Sequence, residues 1–331
     1  MRKLLGMTAV AAILGMASYA QAADLKMSHV RPQGATIDVE LRAFADEIKS
    51  ATGGDVNIEI FPASALGDYT TVQERVSVGM VDMATQPVAT GVDRRMQISS
   101  LPYLVTNWEQ AQKVYGRGGI LHNTMQELYA EQDITMLAAY PVYFGGISLN
   151  VDPINPGDPS KSNGIKVRVP GIKAFQLEGE ALGYIPSPLP FSEAFSAIQI
   201  GVVDGVMGSG AEGYYASFRD VTKSYIPANT HFEVWYMLIS NESLNQLDAD
   251  DVAVLEKAAE AFETKRWEVA KQDQAKWEKR LADELGTNVV KLTDDQLAAM
   301  SAKVQKEVWP EILNDLGQEW GQAILDKVSQ Q

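Results

Sequence analysis

Cysteine is absent from all 331 residues, which excludes disulfides, cysteine-ligated clusters and thiol catalysis and leaves stability to the core alone. Histidine is nearly absent too. His29, His122 and His231 are the only three, none at helical or turn spacing to another, so no histidine metal motif is present. Cations are scarce, with 28 Lys and Arg against 43 Asp and Glu and a net charge of −15. That balance excludes nucleic acid and anionic lipid as partners, and any anionic ligand must be attracted locally by a well-placed cation. There is no Gly-x-Ser-x-Gly elbow for a serine nucleophile. Adjacent acids such as Asp250-Asp251 and Asp294-Asp295 read as solvated helix starts rather than acid–base pairs.

Long apolar runs are missing beyond the first residues, so the mature chain is not expected to be embedded in a membrane. The start itself reads as an export signal spanning 1–22. Arg2 and Lys3 give the positive end, Leu4 to Ser18 is mostly apolar and small, and Ala20-Gln21-Ala22 is a small-x-small cleavage pattern. The mature chain then begins at Ala23 and is periplasmic. It loses Arg2 and Lys3 with the signal, which takes its charge to −17. About 309 residues remain, more than one core usually supports, so two lobes with a cleft between them are expected.

From Asp24 onward short β-type runs alternate with longer helical stretches, the order of an α/β protein. Leu25–Val30, Val56–Phe61, Met83–Thr85, Ile134–Ala139, Ser148–Val151 and Lys166–Val169 read as strands. Ile37–Ser50 and Tyr69–Val78 read as helices, the second ended by Gly79. Pro153–Gly164 is a loop where the chain has entered the second lobe. Asp248 N-caps a helix running to Leu285 and stopped by Gly286, about 50 Å long and able to lie across both lobes. The lobes divide as 23–147 with about 234–273, and 148–233 with about 274–331.

Gly208-Ser209-Gly210-Ala211-Glu212-Gly213 has the three-glycine spacing of a dinucleotide loop. The acidic residue that should end the next strand is missing, with Pro227–His231 in its place, so no nicotinamide or flavin cofactor is expected. Arg168 lies between Val167 and Val169 at the carboxyl end of a strand, the edge where ligands bind open α/β sheets. Its flat fork can hold a carboxylate or sulfonate through two parallel hydrogen bonds. An ion pair on the sheet surface explains the same spacing equally well. Aromatic and methionine residues near the same loops, among them Tyr140, Tyr143, Phe144, Phe191, Met207 and Trp235-Tyr236, read first as core and second as pocket wall.

Three stretches, in order and spanning nearly the whole chain, carry a resemblance. They are Phe61-Pro62-Ala63-Ser64-Ala65-Leu66-Gly67-Asp68 with Val78-Gly79-Met80-Val81-Asp82-Met83, then Gly164-Ile165-Lys166-Val167-Arg168-Val169-Pro170, then Pro190-Phe191-Ser192-Glu193-Ala194-Phe195 through Ile198–Gly205. On these the chain resembles the substrate-binding subunits of tripartite ATP-independent periplasmic (TRAP) transporters, the DctP family. The resemblance implies a two-lobe periplasmic binding protein fold of type II kind, with crossing strands and a long helix, closing on its ligand by a hinge. It implies partners too: a small and a large membrane subunit driven by an ion gradient. Arg168 falls on the family's carboxylate clamp and Phe191 on an aromatic that packs over the ligand.

Secondary ligand candidates are Tyr69, Gln86, Pro87, Phe144, Asn150, Met207, Gly208, Glu212 and Trp235. Gly208 could leave space or expose backbone N–H groups to an anionic head, and Glu212 could accept from a ligand amine or hydroxyl or cap a helix. The chain lacks the additional arginine of the sialic-acid branch between Gly145 and Asn150, and has Gly208 where that branch has asparagine. A bulky sugar acid read by those groups is therefore not expected. The function expected is capture of a small organic anion, carboxylates ranked before sulfonates, and its delivery to the permease without catalysis. The competing readings are a periplasmic ligand sensor and a lyase or hydrolase acting on a small acid.

Overall fold

A computed structural model describes residues 22–330; all but the last residue of the export signal lies outside them. Eleven strands form two sheets. They are β1 (Ala23–Ser28), β2 (Val56–Phe61), β3 (Met83–Gln86), β4 (Ile134–Phe144), β5 (Gly146–Leu149), β6 (Lys166–Val169), β7 (Ile185–Pro188), β8 (Gly205–Ser209), β9 (Ser224–Ile226), β10 (Phe232–Ser240) and β11 (Asn288–Val289). The first sheet has the order β2-β1-β3-β10-β4 and the second β11-β9-β5-β8-β6-β7. The helices that position the site are α1 (Thr36–Ala51), α2 (Tyr69–Ser77), α3 (Trp108–Tyr115), α4 (Ile120–Ala130), α5 (Lys173–Ala181), α6 (Phe191–Gln199) and α7 (Ala211–Phe218). A short α8 (Asn241–Leu244), α9 (Ala249–Leu285) and the terminal α10 (Asp294–Glu307), α11 (Trp309–Leu316) and α12 (Gln318–Val328) follow.

The expected α/β class and two-lobe arrangement are present. β1 pairs parallel with β2 and β3, and β6 parallel with β7 and β8, as strand–helix–strand crossovers require. The chain passes between the sheets twice in extended form. β4 runs into β5 through Gly145, and β9 returns to β10 near Thr230-His231. Thr230 N donates to Gly145 O at 3.0 Å and Gly145 N to His231 O at 2.8 Å, so the two crossings are tied to each other. Gly145 has no room for a side chain, since a Cβ there would stand 2.4 Å from the His231 ring.

The third connection is α9, 37 residues long, capped at Gly286 in the left-handed conformation (φ 67°). It packs on β4 and α1 of the first lobe and on α7 and β11 of the second. The helix therefore spans both lobes as its length requires. Several elements depart from the reading of the sequence, with β7, β8, β9 and β11 additional strands and Ser148–Val151 shifted to Gly146–Leu149, and two departures are instructive. Ile134–Ala139 extends to Phe144 because the strand continues into the crossing. β10, a run of nine buried residues in the first sheet, shows no period of two and is not among the strands expected from the sequence.

α10 holds the second lobe, with Lys303 donating to Pro159 O. α11 and α12 return to the first lobe. Trp309 Nε1 donates to Pro102 O at 2.9 Å, Gln97 Nε2 to Asp315 at 2.8 Å, and α12 packs on α4. The apolar stripe Ile312, Leu313 and Leu316 is what draws it there.

Candidate functional site

The carboxyl ends of the parallel strands in both sheets meet at one cleft, where about 510 Å³ is free of protein atoms, open solvent at the mouth included. The first lobe lines it with Val30, Arg31, Tyr69, Pro87 and Ser100, and with Glu233, Val234 and Trp235 at the start of β10. The second contributes Arg168, Pro170, Ile172, Phe175, Phe191 and Gly208, and His231 lies at the crossing. Open α/β sheets leave such a crevice where their loops diverge.

Arg168 is buried to 1% exposure. Its Nε donates to Leu189 O at 2.9 Å, which fixes the plane of the guanidinium. Its two terminal nitrogens have no hydrogen bond or ion pair among the described residues, and the Phe191 ring lies 5.7 Å from its central carbon. Burial pulls its pKa down, with Tyr69 and Asp68 opposing at longer range. A buried cation whose fork faces a cavity without a counter-charge is the electrostatic complement of an anion. A surface ion pair would need a carboxylate within pairing distance, and none stands there among the described residues.

Arg31 is a second buried guanidinium, unforeseen in the sequence. It leaves the end of β1 and donates to Tyr143 Oη at 2.6 Å and Ser209 Oγ at 2.9 Å. Glu212 stands 3.4 Å from its Nε and Glu233 3.7 Å from a terminal nitrogen. Trp235 and Phe191 face it at 4.9 and 5.1 Å. Its pKa rises because Tyr143 and the two acids outweigh burial. Unlike Arg168, Arg31 is already neutralised, and its bonds to Ser209 and Glu212 join the first lobe to the second. The signal that could have found it is its place at the carboxyl end of β1, the same argument that singled out Arg168.

The loop carrying Arg31 is held by Asp38. That carboxylate accepts from Gly34 N at 2.8 Å and from Arg42 at 3.0 and 3.1 Å, and lies 3.2 Å from His29 Nε2. Those donors lower its pKa against burial. Glu233 is the opposite case. Its Oε1 accepts from Trp235 Nε1 at 2.7 Å, while burial raises its pKa to about 7 against the pull of Arg31. His231, buried against Phe175, is held neutral because burial lowers its pKa to about 3.

Of the sequence candidates, Arg168, Phe191, Tyr69, Pro87, Gly208 and Trp235 line the cleft. Glu212 reaches it only through Arg31. Four stand elsewhere. Gln86 donates to Tyr69 O at 2.8 Å and so seats α2. Phe144 is locked among Trp108 and Phe232 in an aromatic cluster, and Met207 is core. Asn150 follows β5, which runs antiparallel to β8, and its N–H donates to Asp204 O at the opposite edge of the sheet from the cleft.

Gly208 serves close approach. With φ at +97°, a Cβ there would stand 2.6 Å from Pro170 Cδ. Gly210 and Gly213 are small for the same reason: a Cβ would meet Tyr143 at 2.3 Å and Ser209 Oγ and Arg31 at 2.3 and 2.4 Å. The three-glycine pattern thus packs β8 and α7 around the cleft rather than a dinucleotide.

The family model for bacterial extracellular solute-binding protein, family 7 (DctP), matches residues 27–315. A solute-binding protein of Roseobacter denitrificans is 28% identical over 267 residues, 80% of each chain. The C4-dicarboxylate-binding periplasmic protein DctP of Rhodobacter capsulatus is 27% identical over 326 residues, 97% of this chain and 93% of its own. Among solved structures, a TRAP periplasmic solute-binding protein from Haemophilus influenzae with bound L-gulonate has TM-score 0.81 at 22% identity, covering 93% of this chain and 99% of that one. One from Ralstonia eutropha with bound (S)-2-acetolactate has TM-score 0.83 at 20% identity, with 93% and 99% covered.

Proposed function

The chain belongs to the bacterial extracellular solute-binding proteins of family 7, the DctP substrate-binding subunits of TRAP transporters, and from that premise we propose that it captures a small organic anion in the periplasm without altering it. Arg168 carries the reading. A guanidinium at 1% exposure, oriented by one backbone carbonyl and otherwise unpaired, sits at the meeting of the two lobes. A carboxylate or sulfonate on its free edge would supply the missing counter-charge through two charge-assisted bonds. Carboxylates rank first. The names of relatives agree, with C4-dicarboxylate, L-gulonate, (S)-2-acetolactate and pyroglutamic acid among their ligands.

Phe191, Trp235, Tyr69 and Pro87 would enclose the rest of the ligand. The two crossings beside Gly145 and His231, with α9, form the hinge, and ligand binding shifts the population toward the closed form. That form is what a paired small and large membrane subunit would recognise. Calorimetric titration of wild type and Arg168→Ala with a series of small organic acids tests the clamp. Loss of a hundredfold or more in affinity is expected, since a buried charge would be left unpaired. Equal affinity in the two proteins would refute it.

A further inference from the structure

The site has a second pole that the anion clamp leaves unused. Glu233 lines the cleft at the start of β10 with only 7% of its surface exposed. One oxygen is engaged by Trp235 and approached by Arg31. The other, Oε2, is buried and accepts no hydrogen bond. Glu212, across Arg31, has a buried oxygen in the same condition. A buried carboxylate oxygen without a donor costs free energy that folding alone does not recover.

We infer that Glu233 receives a hydrogen-bond donor of the ligand, so that the solute is a small bifunctional acid bearing a hydroxyl or ammonium group opposite its carboxylate. This rests on Arg168 as the clamp. The scale follows from Phe191, whose ring is 5.1 Å from the carbon of Arg31 and 5.7 Å from that of Arg168. The two guanidinium carbons are thus at most about 11 Å apart across that ring, and Glu233 stands 3.7 Å from Arg31, so a ligand reaching from Arg168 to Glu233 is a small acid.

Charge bookkeeping agrees. Arg31 already stands between two acids, so a simple carboxylate on Arg168 leaves the cleft one negative charge in excess. An ammonium cancels that excess. A hydroxyl satisfies the orphaned oxygen and leaves the balance to a proton on Glu233, whose raised pKa makes that proton inexpensive near neutrality. The other groups facing Glu233 are Arg31, Glu212, Trp235 and the hydroxyls of Tyr143, Tyr69 and Tyr214; the Tyr143 hydroxyl favours the ionised carboxylate, yet among the described residues no donor stands within hydrogen-bonding geometry of Oε2.

The test is a matched set of three- to five-carbon acids, each unsubstituted, hydroxylated or aminated, titrated by calorimetry into wild type, Glu233→Gln and Arg168→Ala. At least one hydroxy or amino acid should bind wild type tenfold or more tighter than its unsubstituted parent. In Glu233→Gln that ratio should fall toward one for an ammonium, which loses its counter-charge, and by less for a hydroxyl, which the amide oxygen still accepts, whereas a merely structural role would weaken parent and derivative together and keep the ratio. Affinity rising with pH through neutrality for the amino acid, and not for the hydroxy acid, separates the two donors. Parent and derivative binding wild type equally overturns the second pole and leaves the clamp standing. Binding that survives in Arg168→Ala, or no binding by any acid, overturns the clamp itself.

Discussion

Arg31 and Arg168 approach the same phenylalanine ring, at 5.1 and 5.7 Å from the centroid of Phe191, and differ in one respect that decides their roles. Arg31 is bracketed by Glu212 and Glu233; Arg168 has no acid within pairing distance among the described residues, only Asp68 at longer range. The first joins the two lobes, and the second is left free for the anion proposed to bind there.

An unpaired buried charge is expected to cost stability in the empty protein. Arg168→Met, close in length and apolar, should therefore raise the melting temperature of the unliganded chain while abolishing binding. Replacing buried ionic groups by apolar ones stabilises by about 1–4 kcal/mol in favourable cases. Arg168→Lys keeps the charge and loses the fork, so affinity should fall roughly 10- to 100-fold. Thermal melts without ligand, paired with titrations, check both. A less stable Arg168→Met would mean that the guanidinium supports the fold rather than the ligand.

Phe191 begins α6 and meets Phe218 edge-on at 5.6 Å as well as both guanidiniums. Phe191→Leu keeps most of the volume and removes the ring quadrupole, so it should weaken ligand binding by about 1 kcal/mol. Phe191→Ala adds lost packing and should cost a further 1–2 kcal/mol or so of stability. Denaturant unfolding alongside titration separates the two contributions. A Leu variant that binds as wild type would assign Phe191 to packing alone.

Gly208→Ala should be severe. The new methyl would stand 2.6 Å from Pro170 Cδ on a backbone with φ at +97°, and Pro170 lies two residues from Arg168. A loss of about 2–3 kcal/mol in stability is expected, with weaker binding because the strand bearing the clamp must move. Wild-type stability with normal affinity would show that the backbone tolerates a side chain there.

What could be read from the sequence divides along the same physical line. Arg168 was legible from its place between Val167 and Val169 at a strand's carboxyl end, a spacing that leaves a surface ion pair equally open until the family resemblance favours the ligand. α9 was legible from its N-terminal aspartate, helical composition and terminal glycine. Arg31 was not, since its meaning depends on Tyr143, Ser209, Glu212 and Glu233, none of them near it in the chain. Phe144 and Met207 were placed near the cleft because strand ends point there. Nearness to a strand end does not fix which face a side chain takes, and both turn into the core. Glu233 was hidden by β10 itself, since the apolar run that follows it, Val234 to Ile239, carries no period that marks the acid as cleft-facing.

Glu233 and His231, two residues apart, should give stability opposite dependences on pH. Burial raises the Glu233 carboxyl from 4.5 to about 7, with Arg31 opposing. Between those values the folded chain holds a proton that the unfolded chain has released, so the stabilisation is complete below 4.5 and is lost as pH rises through about 7. His231 runs the other way. Burial lowers it from 6.5 to about 3, so its contribution is full above 6.5 and is lost as pH falls toward 3. In wild type the slopes partly cancel between 4.5 and 6.5. Glu233→Gln should compare worse with wild type near pH 5 than near pH 8, and His231→Gln should compare worse near pH 8 than near pH 5. Urea unfolding across that range measures both differences, and a Glu233→Gln difference that stays constant with pH would remove the carboxyl from the titrating groups.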